Sequence, residues 1–359
     1  MALFGSASSA AASNPTQGDI SKDVTVANPP SDSISEISFC PTQDLLAAAS
    51  WDSEVRIWQI DNGGNSNPAA SFKTDGPALS VAWAKDGSSL IAAGADKQAK
   101  RLDLNGTPTP QVVAVHDEPI RCVRTTQISG SNVLVTGSWD KTIKYWDVRA
   151  SNQTPAITVN CQERIYTMDI KEQLLVVGTA DRYINIINLQ NPGTFYKTLQ
   201  SPLKWQTRVV SCFTDASGFA VGSIEGRCAI QYVEEKDASS NFSFKCHRQT
   251  DNTQRDVAKV YSVNAISFHP THGTFSTAGS DGTFHFWDKD AKHRLKGYPE
   301  VGGAITSTAF SASGNIFAYA VSYDWSKGFS ANNPQMPNKI MLHPVNPDEC
   351  KPRPGGKKR

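Results

Sequence analysis

Seven acidic residues recur along this chain at nearly even intervals: Asp52, Asp96, Asp140, Asp181, Glu225, Asp281 and Asp324. The steps between them are 44, 44, 41, 44, 56 and 43 residues. In the clearest copies the acid sits in a turn and a tryptophan follows six residues on. Ser-Trp-Asp at 50–52 leads to Trp58, Ser-Trp-Asp at 138–140 to Trp146, and Gly-Ser-Asp at 279–281 to Trp287. Fainter copies fill the gaps: Ala-Asp at 95–96 leads to Leu102 and Asp103, and Ala-Asp at 180–181 to Ile187 and Asn188. Ile-Glu at 224–225 and Tyr-Asp at 323–324 mark the remaining two. A unit of this length cannot bury its own apolar face and must stack against its neighbours. The 56-residue step is read as a polar, charged insertion around Glu234 to Ala258.

A period of about 40–45 residues carrying Asp and then Trp-Asp is the signature of a WD-repeat propeller. The expected fold is therefore all-β, a seven-bladed WD-repeat β-propeller. Strand-like stretches between turn residues support four strands per blade; in the first repeat they are Ile34 to Phe39, Leu45 to Ser50 and Val55 to Ile60. The last repeat supplies three strands, from Ile305 to about Pro344. The segment from Asp23 to Val26 is the expected fourth, closing the ring and removing the free edges a linear array would expose. Residues 1–20 are expected to be a disordered extension, 21–347 the propeller and 348–359 a basic tail.

The composition narrows the function. The chain has 359 residues, 39% hydrophobic and 19% charged, with a net charge of +1. That balance gives no overall pull toward nucleic acid or membrane. The longest mostly apolar runs, such as Leu45 to Ala49, are far too short to span a bilayer, and the first residues lack the basic start and apolar core of a secretory signal, so none is expected. No membrane insertion is expected. Seven cysteines are scattered at 40, 122, 161, 212, 228, 246 and 350 without a CxxC pair, which argues against a zinc site or a disulfide framework. No cofactor or metal is expected.

Two repeats offer a polar relay: His116, Thr136, Asp140 and Trp146, and again His247, Thr277, Asp281 and Trp287. The Asp caps a tight turn and accepts from the imidazole, whose other nitrogen reaches the hydroxyl, and a buried indole N–H needs an acceptor. A His beside an Asp also suits acid–base catalysis, but a catalytic group has no reason to recur at repeat spacing. Glycine-rich phosphate loops, HExxH and GxSxG are missing from the sequence. The reading is structural, and no enzyme is expected; a propeller hydrolase would need acidic and basic groups gathered around the channel, which nothing here singles out.

The residue before each turn acid is Trp51, Ala95, Trp139, Ala180, Ile224, Ser280 and Tyr323. Such turns lie on one face of a propeller, its top. Three large aromatics on that rim, Trp51, Trp139 and Tyr323, either pack onto neighbouring loops or form an apolar patch suited to anchor a partner. Arg248, directly after His247, and Lys327, in the seventh top loop, add positive charge there. Together they suit a peptide that combines apolar anchors with carboxylates.

The blocks Ser50-Trp51-Asp52, Phe244-Lys245-Cys246-His247-Arg248, Phe268 to Thr274 and Tyr319 to Gly328 closely resemble the nuclear-pore messenger-RNA export factors of the WD-repeat class. The resemblance runs from about Asp19 to Pro347. The chain is similar, more distantly, to the mitotic-checkpoint WD-repeat proteins, which also carry a Phe-Lys-Cys-His-Arg block. Both families bind a GLEBS segment across the top face, belonging in the first to an FG-repeat nucleoporin and in the second to checkpoint kinases. The resemblance implies that Trp51 and Trp139 are apolar contacts and that Arg248 and Lys327 pair with the segment's glutamates. It also implies messenger-RNA export, a nuclear and nuclear-pore location that is partly cytoplasmic, and RNA contact. No RNA-recognition motif is present, so RNA contact would rest on phosphates and a basic surface that includes the tail. That tail, with Lys351, Arg353, Lys357, Lys358 and Arg359, reads equally as an import signal, a phosphate contact or a solubilising end.

From the sequence, removing residues 1–20 is expected to leave the melting temperature unchanged, whereas removal through Val26 is expected to lower it sharply. Thermal melts of the two truncations check this.

Overall fold

The computed structural model describes residues 16–61, 63–106, 109–128, 130–149, 154–250 and 257–352. Among them, seven four-stranded antiparallel sheets span residues 34–73, 78–115, 120–160, 165–200, 207–245, 263–297 and 305–344. These are blades 1 to 7 of a propeller, the architecture expected from the repeat. The first strand of each blade lies innermost and the fourth outermost, except that blade 7 takes its outermost strand from Val24–Thr25. That strand pairs antiparallel with Met341 and Leu342.

The repeat positions these sheets through their second strands. Leu45–Ser50, Ser89–Gly94, Leu174–Thr179 and Gly218–Ser223 are buried at every residue. Both of their faces are covered by neighbouring blades, so they read as continuous apolar or small runs rather than alternating ones. Blades converge toward the axis, and Ala47, Ala48 and Ala49 provide the small side chains needed there. Farther out, Trp58 and Trp146 fill the wider gaps and are 1% and 2% exposed.

Two relays tie strands to turns. In blade 3 the Trp146 indole N–H donates to Thr136 Oγ1 (2.8 Å), which lies 2.7 Å from His116 Nε2, and His116 Nδ1 lies 2.7 Å from Asp140. In blade 6 the Trp287 indole donates to Thr277 (2.9 Å), with His247 at 2.9 Å from Thr277 and 2.8 Å from Asp281. In blade 3 one proton order satisfies the chain by running from indole to hydroxyl, hydroxyl to Nε2, and Nδ1–H to carboxylate, although the Thr136 hydroxyl also has the Lys144 carbonyl within reach at 3.3 Å. That order uses a neutral His116 ring, and burial holds His116 below its ordinary pKa despite Asp140. Burial alone would raise Asp140, but hydrogen bonds from His116 and Thr142 keep its carboxyl well below the usual range. Other blades anchor the turn acid with a cation four residues on: Arg56 to Asp52 at 2.7 Å, and Lys100 to Asp96 at 3.6 Å.

The terminal boundaries differ from the expected ones. Thr16 to Gly18 lies along the outer edge of blade 6: Gly18 N–H donates to Gly297 O (2.8 Å) and Gly297 N–H to Thr16 O (3.0 Å). A side chain at Gly18 would sit 2.2 Å from the Tyr298 ring, so only glycine lets this backbone approach. Ile20 packs against the blade 6–7 core. At the other end, Pro347–Cys350 forms a helical turn whose Glu349 and Cys350 are buried. Composition concealed both segments because each docks through backbone contacts and one or two side chains rather than through an apolar run. The truncation at residue 20 therefore cuts a docked segment. Arg353, Lys357, Lys358 and Arg359 lie outside the described residues, and Lys351 is exposed.

Thr136→Val keeps the shape of the relay but leaves the Trp146 N–H and His116 Nε2 without partners. It is expected to lower unfolding free energy by about 1–3 kcal/mol, with Thr136→Ser near wild type; urea unfolding followed by tryptophan fluorescence checks this.

Candidate peptide-binding face

In each blade the turn between the second and third strands emerges at the same end as the connections between blades. This end is the top face, and one hydrogen bond sets its register. Trp51, Ala95, Trp139, Ala180, Ile224 and Ser280 donate their N–H to Ser33, Pro77, Pro119, Arg164, Gln206 and Ser262, each just ahead of the innermost strand. In blade 7 the equivalent bond runs from Ser322 to Ala304.

The seventh turn is thus one residue out of step with the sequence count, and Tyr323 occupies the place held elsewhere by the acid. Its side chain is not an exposed tip. Tyr323 is 6% exposed, its hydroxyl donating to Gly328 O (2.7 Å) and accepting from Lys327 N–H (3.1 Å). Asp324 still makes a local turn, with Trp325 in the left-handed region at φ 62° and Ser326 N–H on its carboxylate, which is why spacing picks it out. That carboxylate also accepts from Asn264 and Ser280 of blade 6. The third strand of blade 7 begins only at Lys339, so residues 322–338 form a long top loop where other blades have a tight turn.

This loop brings together aromatics that the repeat count did not pair. Trp325 stacks on Trp51 with ring centroids 4.1 Å apart and planes 33° apart, and Tyr323 lies 5.4 Å from Trp325. Trp51, Trp139 and Trp325 are all half-buried, while Lys327 is exposed. Phe329 is 85% exposed and Trp205, on the connection from blade 4 to blade 5, is 59% exposed. None of Trp325, Trp205 and Phe329 stands at the position before a turn acid, so the repeat spacing does not mark them.

The charged groups are equally specific. Arg248 opens a short hairpin, Arg248–Thr250 with Ala258–Val260, that accounts for part of the long step between repeats. Its guanidinium is held by Glu225, donating to the backbone carbonyl (2.8 Å) and to the carboxylate (3.2 Å), and Arg227 shares that carboxylate at 3.0 Å. A partner glutamate at Arg248 would therefore compete with Glu225.

A further basic pair stands at the channel mouth. Every innermost strand carries a bulge at its top end, and six of the seven bulged residues, Ser35, Arg121, Tyr166, Arg208, Asn264 and Thr306, line a central cavity of about 410 Å³. Arg121 donates to Leu79 O and Arg208 to Asp324 O; neither has an ion-pair partner among the described residues. Burial and the neighbouring Arg121 charge both push Arg208 below its ordinary pKa. Deeper in the channel, Arg124 bridges Glu36 (2.9 Å) and Asp169 (3.4 Å), so the carboxylates there are paired. Both sets could have been found by aligning the starts of the innermost strands rather than the turns. Among the described residues no cluster suits a metal ion, and no helix is long and apolar enough to cross a membrane.

Comparison with known proteins places the chain in a family. Residues 109–147 and 255–288 match the WD domain, G-beta repeat, and residues 37–127 match the anaphase-promoting complex subunit 4 WD40 domain. The chain is 63% identical to the mRNA export factor GLE2 of Chaetomium thermophilum, covering 99% of each chain. It is 55% identical to the poly(A)+ RNA export protein of Schizosaccharomyces pombe, again over 99% of each. Identity to the protein Rae1 of Drosophila melanogaster is 46%, over 92% of this chain and 96% of that one. The crystal structure of the WD40 β-propeller domain of Doa1 superposes with a TM-score of 0.68 at 16% identity, covering 91% of this chain and 97% of that one, a likeness of fold alone. The chain belongs to the mRNA export factor family of WD-repeat proteins.

Proposed function

We propose that this protein is a non-enzymatic adaptor of mRNA export that grips the GLEBS segment of an FG-repeat nucleoporin across its top face. The observation that carries the reading is the juxtaposition of the Trp51–Trp325 stack with the unpaired Arg121 and Arg208 at the channel mouth. Stacked indoles bury a large apolar area at little entropic cost, and guanidiniums that donate to backbone carbonyls without an ion pair favour carboxylates. Trp139 adds a second apolar anchor, Tyr323 shapes the loop from within, and Lys327 supplies an exposed cation. Arg248 acts with Glu225, as one half of a pair that the segment's glutamate must open. The relatives named as mRNA export factors support the pathway and, with it, a location in the nucleus at the nuclear pore and partly in the cytoplasm.

RNA contact, in this reading, is made through phosphates by basic side chains including Lys351 and the residues beyond it. Such binding weakens steeply with salt and shows little sequence preference.

A pull-down from nuclear extract, wild type beside the Trp139→Ala, Lys327→Glu double variant, tests the reading. Recovery of an FG nucleoporin by wild type alone is the expected result. Equal capture by both would remove the top face from the proposal, and capture of checkpoint kinases in place of the nucleoporin would replace the export role by a checkpoint one.

A further inference from the structure

The two terminal segments meet at the seam between blades 6 and 7. The N-terminal one starts on the outer edge of blade 6, where Thr16 and Gly18 pair with Gly297, and crosses to blade 7, where Val24 pairs with Leu342. The C-terminal one leaves the third strand of blade 7 and returns to blade 6, where Thr274 Oγ1 donates to Cys350 O at 2.7 Å. At their crossing stands His343. Its Nδ1 lies 2.6 Å from Asp23 of the first segment and its Nε2 3.4 Å from Glu349 of the second. The side chains of His343 and Asp23 are 3% and 1% exposed. The other oxygen of Asp23 accepts from the Tyr319 hydroxyl (2.6 Å), and the Glu349 oxygen that faces His343 also accepts from Asn346 N–H (3.0 Å).

We propose that these segments form one clasp across the blade 6–7 seam, locked by His343 between the carboxylates of Asp23 and Glu349, and that unlocking it frees Thr16 to Gly18 from the outer edge of blade 6. A neutral imidazole donates from only one nitrogen, so it satisfies one carboxylate and leaves the other opposed by a lone pair. The protonated ring donates to both. The clasp is thus a two-ended device that holds only while His343 carries its charge.

The surroundings agree. Burial works against the charge of His343, but its bonds to Asp23 and Glu349 outweigh it and push the pKa up to about 9. The charged groups facing it are Asp19 and Asp23 from the N-terminal segment and Glu349 from the C-terminal turn. Burial holds the phenols of Tyr298 and Tyr319 and the thiol of Cys350 well above their ordinary values, so they stay neutral over this range. The folded-state value lies above the unfolded one of about 6.5, so the stabilisation is complete below about 6.5 and is lost as pH rises through about 9.

Hydrogen exchange of the full chain, read by mass spectrometry and corrected for intrinsic rates, tests this without altering a residue. Between pH 7 and 10, protection at Gly18 and Gly297 is expected to fall by at least about tenfold, the factor set by one pKa unit of lost coupling. Amides of Leu134 and Val135 in blade 3 should keep their protection. Glu349→Gln at pH 7 is expected to give the same local loss. Unchanged protection at Gly18 and Gly297 at pH 10, or a loss spread evenly over all blades, would overturn the proposal.

Discussion

A ring of blades is stable only if its last sheet is completed, and here that completion is a two-residue strand. Val24 and Thr25 complete blade 7 against Met341 and Leu342, more than 300 residues away in sequence. Two ladder pairs are a small contribution for so much chain entropy, so the closing strand needs help. It comes from either side: Val26 is 1% exposed in the core shared by blades 7 and 1, and Asp23 is held by Tyr319 and His343. All other sheets are made of consecutive strands and close locally. Among the described residues the seventh blade takes its outermost strand from far along the chain, and slow, non-local closure is the expected late step in folding.

Within the ring, what recurs is geometry rather than chemistry. The same N–H to carbonyl bond sets the top turn of every blade, yet the turn acid is stabilised by a His–Thr–Trp relay in blades 3 and 6 and by Arg56 or Lys100 in blades 1 and 2. A buried carboxylate needs donors or a countercharge, and either serves. This tolerance is why faint repeats fold as well as the clear ones.

It also explains how much was legible beforehand. The period revealed the blade number, the strands of the first repeat and the strand from the N-terminal region, because these follow from apolar patterning and turn residues. The relay residues were legible because they carry distinctive side chains at repeat spacing. Tyr323 was misplaced because Asp324 makes a proper local turn while the strands beside it are paired one residue earlier. Spacing along the chain cannot detect that slip; only the ladder can. Arg121 and Arg208 escaped because they stand at the starts of the innermost strands, which the spacing of the turn acids does not mark. Thr16 to Gly18 escaped because backbone pairing with Gly297 leaves no mark in that spacing either.

The Trp51–Trp325 stack joins a residue of the first repeat to one of the last. During synthesis Trp51 emerges some 270 residues before its neighbour exists, and it stays half-complete until blade 7 has folded beside blade 1. The aromatic platform is therefore present only on a finished molecule. A nascent or partly folded chain has neither the stack nor the loop that carries Lys327, and cannot compete for a partner that needs them. Under the proposed function, recognition at this face would double as a readout of completed assembly.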